Sequence, residues 1–232
     1  MKKYIINEKE YFIPTSWSDI NYNTFIQMKK LEKNSDKIDE LEYNKQYISV
    51  MTGIPVDVID EIDLNLLTEI LVNIYSFAQK EIPVKSDVVF TFDKQTYVLD
   101  KNTSAIILGQ FIDLDDMIKN DYWDRADEIA AVLCRKAKKN LFKKGYSIEK
   151  YDHLKMKETA KIFREHMPID EIYSIMVFYL TFVNNFQHFI QTYSQSQIKT
   201  KNQKDQNLKL WWNNSQKIGI GIQYLEIMQE EI

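Results

Sequence analysis

Helix-breaking residues are scarce along this chain, with five glycines and four prolines in 232 residues. Average usage would put the two together at roughly 12%. A sandwich or barrel of many short strands needs frequent turns, and turns draw on Gly, Pro and Asn for their special backbone angles. So few breakers favour long helices with an occasional hairpin. Hydrophobic residues make up 44% and charged residues 28%, which is enough apolar material for a sizeable core. The expected fold is α+β, mainly α-helical, with one or two β-hairpins and a tethered C-terminal arm.

Residues 1–13 place Tyr4, Ile5 and Ile6 before a polar turn at Glu8-Lys9-Glu10, and Tyr11, Phe12 and Ile13 after it. This pattern predicts a hairpin ended by Pro14. A helix follows through Tyr22, Phe25, Ile26 and Met28. A second is expected over about 36–52, stopped by Gly53 and Pro55, the residue types that end helices. Pro55 opens a short helical turn. A third helix spans about 63–79, with Leu64, Leu67, Leu71, Ile74 and Phe77 as one apolar stripe. Residues 87–92 and 96–99 read as a second hairpin around Asp93-Lys94-Gln95. Two isolated hairpins are marginal in water, so pairing of the two or packing on the helices is expected. Residues 105–114 suit strand or helix equally. A long helix is expected over about 121–139, a turn at Gly145, a helix over about 155–166, and the longest helix from Pro168 to about Tyr193.

Beyond Tyr193 the chain becomes polar, from Ser194-Gln195-Ser196-Gln197 through Lys204-Asp205-Gln206. Such a stretch buries too little surface to offset its ordering entropy. It predicts a body at 1–193, a linker at 194–207 and a docking arm at 208–232. Leu208, Leu210, Trp211, Trp212 and Tyr224 are the arm's candidate partner-binding residues. Trp211 and Trp212 either anchor the arm on its own body or form an intermolecular hot spot, where tryptophan is enriched.

No residue pattern points to a reaction. The single Cys134 excludes an internal disulfide and a multi-cysteine zinc site. His153, His166 and His188 lack the spacing of a helical metal pair. The five scattered glycines make no phosphate loop, and Ile218-Gly219-Ile220-Gly221 is too short for a dinucleotide fingerprint. Asp113, Asp115 and Asp116 form an acidic triplet without the rest of a calcium loop. Acidic residues entering a helix complement its dipole, which is the preferred reading. Arg135, Lys136, Lys138, Lys139, Lys143 and Lys144 form a basic cluster. A solvated helix end or an acidic protein partner is preferred for it over nucleic-acid phosphates, because no nucleic-acid-reading motif accompanies it. The net charge of −4 gives no overall attraction to nucleic acid or to an anionic membrane. The start Met1-Lys2-Lys3-Tyr4 leads into mixed polar residues rather than a signal-peptide core. Ile172–Ile190 is interrupted by Asn184, Asn185, Gln187 and His188, so it reads as a buried helix and not a membrane span.

Four segments carry a resemblance: Trp17-Ser18-Asp19-Ile20, Met51-Thr52-Gly53-Ile54-Pro55, Leu108-Gly109-Gln110-Phe111-Ile112-Asp113 and Met167-Pro168. Their order over about 17–193 resembles structural or tail-assembly proteins of tailed bacteriophages of Bacteroidetes, including crAss-like phages. The Lys-, Asn- and Ile-rich composition suits an AT-rich phage genome. The resemblance implies a non-enzymatic virion protein of capsid, neck or tail, made in the host cytoplasm. It would act through contacts with other phage structural proteins and with copies of itself, without cofactor or membrane. The alternatives are a tail-assembly chaperone absent from the mature particle and a nucleic-acid-binding module. The resemblance brings no catalytic residues with it.

Overall fold

The computed structural model describes residues 1–102, 106–118, 122–140 and 145–200, from 186 onward as backbone only. The chain opens with strands β1 (Lys2–Ile6) and β2 (Lys9–Ile13), paired antiparallel. Asn7 and Glu8 make the turn, with φ of 49° and 64°. Two successive positive φ values match the twist of a two-residue hairpin. The turn therefore lies earlier than expected, and Lys9 and Glu10 belong to the strand. Ile6 and Ile13 face the core.

Next come α1 (Tyr22–Glu32), α2 (Glu40–Thr52), α3 (Val56–Asp60) and α4 (Leu64–Ala78). Polar side chains start three of them. Asn21 accepts from the Thr24 amide, Asp39 from the Leu41 amide, and Asp63 from the amides of Asn65 and Leu66. Gly53 ends α2 at φ 71°, where a side chain would be strained. On α4 the buried face is Ile70, Ile74 and Phe77, with Leu67 and Leu71 half-buried. Leu64, expected in that stripe, is 79% exposed in the first turn.

The second hairpin is β3 (Val89–Phe92) and β4 (Gln95–Leu99), turned at Asp93 and Lys94 with φ of 44° and 59°. It does not join the first hairpin. Its other edge is taken by β5 (Cys134–Lys139), then β6 (Tyr146–Ile148), in an antiparallel sheet of order β3-β4-β5-β6. Residues 106–118 resolve the strand-or-helix ambiguity as α5 (Leu108–Ile118). The expected helix over 121–139 is instead a short α6 (Ala126–Leu133) followed at once by β5. Helical spacing would set Arg135 against Lys138 and Lys139 as like charges. In a strand they alternate between faces, and β4 supplies ladder partners for Cys134 to Ala137.

Helix α6 is apolar nearly all round: Ala126, Ile129, Ala130, Ala131, Val132 and Leu133 are buried. A helix of that kind belongs at the centre of a core. It packs against α5, α7 (His153–His166) and α8 (Ile169–Thr200). Helix α7 covers one face of the four-stranded sheet. The Phe163 ring meets Tyr97 edge-on at 5.1 Å and Phe90 at 5.8 Å, a geometry favoured by the ring quadrupoles. Helix α8 is tied to the start of α1 by two backbone bonds, from Ile169 to the Ile20 carbonyl at 2.8 Å and from Tyr22 to the Met167 carbonyl at 3.0 Å. The helix continues past Tyr193 to Thr200. Ser194 to Thr200 contains no Gly or Pro, and Ser, Gln and Lys carry only modest helix penalties. The first half of the expected linker is thus helical, and 201–207 lie outside the described residues.

Candidate functional site

Of the expected site residues, Leu208, Leu210, Trp211, Trp212 and Tyr224 lie outside the described residues, as do Lys143 and Lys144. The rest of the basic cluster is on β5, and the expectation of a helix end is corrected. Arg135 is committed internally: its guanidinium donates to Asp100 and, at 2.9 Å, to the Glu149 carbonyl. Lys136 faces the α7 side, where it lines a cleft of about 30 Å³ with Lys150, Tyr151, Lys155 and Thr159. Glu149 stands 3.6 Å from Lys155 there. Lys138 and Lys139 are exposed. The chemistry available on this surface is attraction of acidic groups by several mobile ammonium heads. Exposed ammonium groups are strongly hydrated and bind as point charges.

The acidic triplet does not cap a helix start, because α5 begins at Leu108 and has no acidic residue in its first turn. Asp113 sits mid-helix instead and joins α5 to the start of α7. Its Oδ2 accepts from the Tyr151 hydroxyl and lies 3.0 Å from His153 Nδ1. Burial opposes ionisation of Asp113, but those two hydrogen bonds outweigh it and hold the carboxyl below its ordinary value. Asp116 pairs with Arg125 at 3.3 Å.

Two buried ion clusters had no separate signal in the sequence. In the first, Asp127 on α6 accepts from Arg164 on α7 at 2.7 and 2.9 Å. The Arg164 guanidinium also stands over the Tyr22 ring at 5.6 Å. In the second, Lys85 in the connection between α4 and β3 reaches Asp170 at 2.9 Å and Glu171 at 3.3 Å on the first turn of α8. Ser18 donates to Asp170, and the Lys85 amide donates to Ser174 Oγ at 2.8 Å. Burial raises the Glu171 carboxyl above its ordinary value in spite of Lys85. Burial likewise pushes the Cys134 thiol well up, so it packs as a small apolar group. Among the described residues no three His, Cys, Asp or Glu side chains converge as a metal site.

The described residues form no helix long and apolar enough to cross a membrane. No family model matches the chain, and neither the curated proteins nor the solved structures include a significant match.

Proposed function

We propose that this chain is a non-enzymatic structural protein of a tailed-bacteriophage particle, acting through protein–protein contacts in capsid, neck or tail. One observation carries the contact role: the continuity of α8. Its first turns are sealed in the core through Ile172, Ile175 and Tyr179, and by Asn184 and Asn185 it is exposed. The helix then runs on to Thr200 without a break. Its 32 residues make a rod of about 48 Å at 1.5 Å per residue. A rod rooted in the core couples the body to whatever the segment 201–232 grips. Linking binding elements in this way raises their effective concentration toward a neighbour. The phage setting is supported by the segments named above.

The test is truncation after Thr200. The shortened chain is expected to fold and melt cooperatively, yet fail to enter assemblies. A truncated chain that unfolds, or one that assembles as well as the full chain, overturns the proposal. Mass spectrometry of purified virions separates a resident subunit from an assembly chaperone, since a subunit leaves abundant peptides of this chain.

A further inference from the structure

The charges of the chain are not spread evenly. Residues 134–166 hold eleven Lys and Arg against four Asp and Glu, an excess of seven positive charges in a chain of net −4. Residues 36–69 hold nine Asp and Glu against two Lys, the same excess with opposite sign. Among the described residues, Arg135 and Arg164 of the basic stretch are held by Asp100 and Asp127, and the other lysines lie on or beside β5, β6 and α7. On the basic side, Lys136 of β5, Lys150 between β6 and α7, and Lys155 of α7 line one cleft, together with Glu149 and Asp152. Lys138, Lys139, Lys157 and Lys161 are also exposed on these elements. On the acidic side, an ion pair from Lys45 to Asp60 joins α2 to α3. A stack of Tyr47 on Tyr75, 5.9 Å between ring centres, joins α2 to α4. Asp36, Glu40, Asp57, Glu61 and Asp63 are exposed there. Helix α1 packs against α2 of the acidic side and α7 of the basic side.

Both surfaces also show apolar side chains to water. Leu154, at the start of α7, is 74% exposed, and Leu41 on α2 and Leu64 on α4 are 61% and 79% exposed. Apolar contacts inside a charged rim are the usual anatomy of a protein interface. Charge complementarity there sets the partner and the register.

We propose that the basic surface of β5, β6 and α7 docks onto the acidic surface of α2, α3 and α4 on a second copy of this chain. The two surfaces are different, so the contact is head-to-tail and propagates into a ring or filament instead of closing as a two-fold dimer. A second copy fits better than nucleic acid for a reason of charge. The two surfaces carry opposite charge, whereas the overall negative charge and the acidic surface oppose a polyanion. This inference deepens the structural-subunit reading above and rests on it.

The experiment is sedimentation velocity of the full chain at about 50 mM and about 500 mM salt, between which screening of exposed charges rises steeply. Two charge-reversed variants accompany it. One carries Lys138→Glu, Lys139→Glu, Lys155→Glu and Lys157→Glu; the other carries Asp36→Lys, Glu40→Lys and Asp57→Lys. The native chain is expected to form species larger than dimers at low salt and to dissociate at high salt. Each variant alone is expected to be monomeric. Mixed one to one, they are expected to associate again, because the native surface left on each variant meets its complement on the other. The salt titration of the native chain decides the matter if a variant fails to fold. A native chain that is monomeric at low salt overturns the proposal. So does a monomeric native chain that is retained on a DNA duplex through the lysines, which would assign the surface to nucleic acid. Association that survives charge reversal and is lost on removing 201–232 also overturns it, while leaving the role of the C-terminal segment intact.

Discussion

The two buried ion clusters solve the same problem differently. Asp127 and Arg164 balance in charge, and both carboxylate oxygens accept a guanidinium hydrogen bond. Among the described residues, Asp170 and Glu171 share Lys85 as their cation, and Asp170 Oδ1 and Glu171 Oε2 are buried without a hydrogen-bond partner. A buried charge is stable only when it is paired and its lone pairs are used. The first cluster is therefore a stitch between α6 and α7. The second is a stressed joint that holds the connection between α4 and β3 against α8. Removing a partner should hurt both, but removing surplus negative charge should help only the second.

The largest effect is expected from Lys85→Met, which strands two acidic side chains in the interior. It should cost about 3–5 kcal/mol, read as a lower denaturant midpoint at unchanged slope. A cost below that of Asp127→Ala would mean that the joint is not held by its charge. Asp127→Ala should cost less, about 2–3 kcal/mol, because Arg164 is partly exposed and recovers water. The third case has the opposite sign. Glu171→Gln removes the charge that burial disfavours and should stabilise the protein at neutral pH. Because its folded carboxyl lies above the ordinary value of 4.5, the folded state binds the Glu171 proton more tightly than the unfolded chain does. Its contribution is thus fully present below that ordinary value and lost as pH rises through the higher folded value. Melting temperature measured across that window should fall with rising pH in the native chain and fall less in Glu171→Gln. An identical pH dependence in the two would remove the stressed-joint reading. The smallest effect lies outside both clusters. Lys94→Gly relieves a positive φ at a turn and should stabilise by a few tenths of a kcal/mol, once the greater freedom of the unfolded glycine is deducted. A loss there would show that Lys94 has a tertiary role.

Neither cluster was legible in the residues alone, although one neighbouring signal was. Pro168 marked the start of α8. What no local rule reveals is that Ser18 and Lys85, from distant parts of the chain, converge on Asp170. The basic surface shows the same limit. Its residues were visible as a cluster, yet their placement on β5 was not. Lys, Ala and Arg favour helix in isolation, and only the open edge of β4 makes the strand the better choice. Asp113 was likewise noticed for the wrong reason, since its partners Tyr151 and His153 lie far along the chain.

What the sequence determined by itself was the set of local starts and stops. Asn21, Asp39, Asp63 and Asp152 cap helices, Gly53 ends one, and two hairpins form where residue type and alternation marked them, with tighter turns that leave Lys9, Glu10 and Gln95 in the strands. These rest on interactions within about four residues, which residue identity alone specifies. Tertiary structure decided which strand pairs with which, where α6 yields to β5, and which carboxylates are buried. Those outcomes depend on groups brought together by folding, whose pairing energies exceed local propensities of under about 1 kcal/mol per residue.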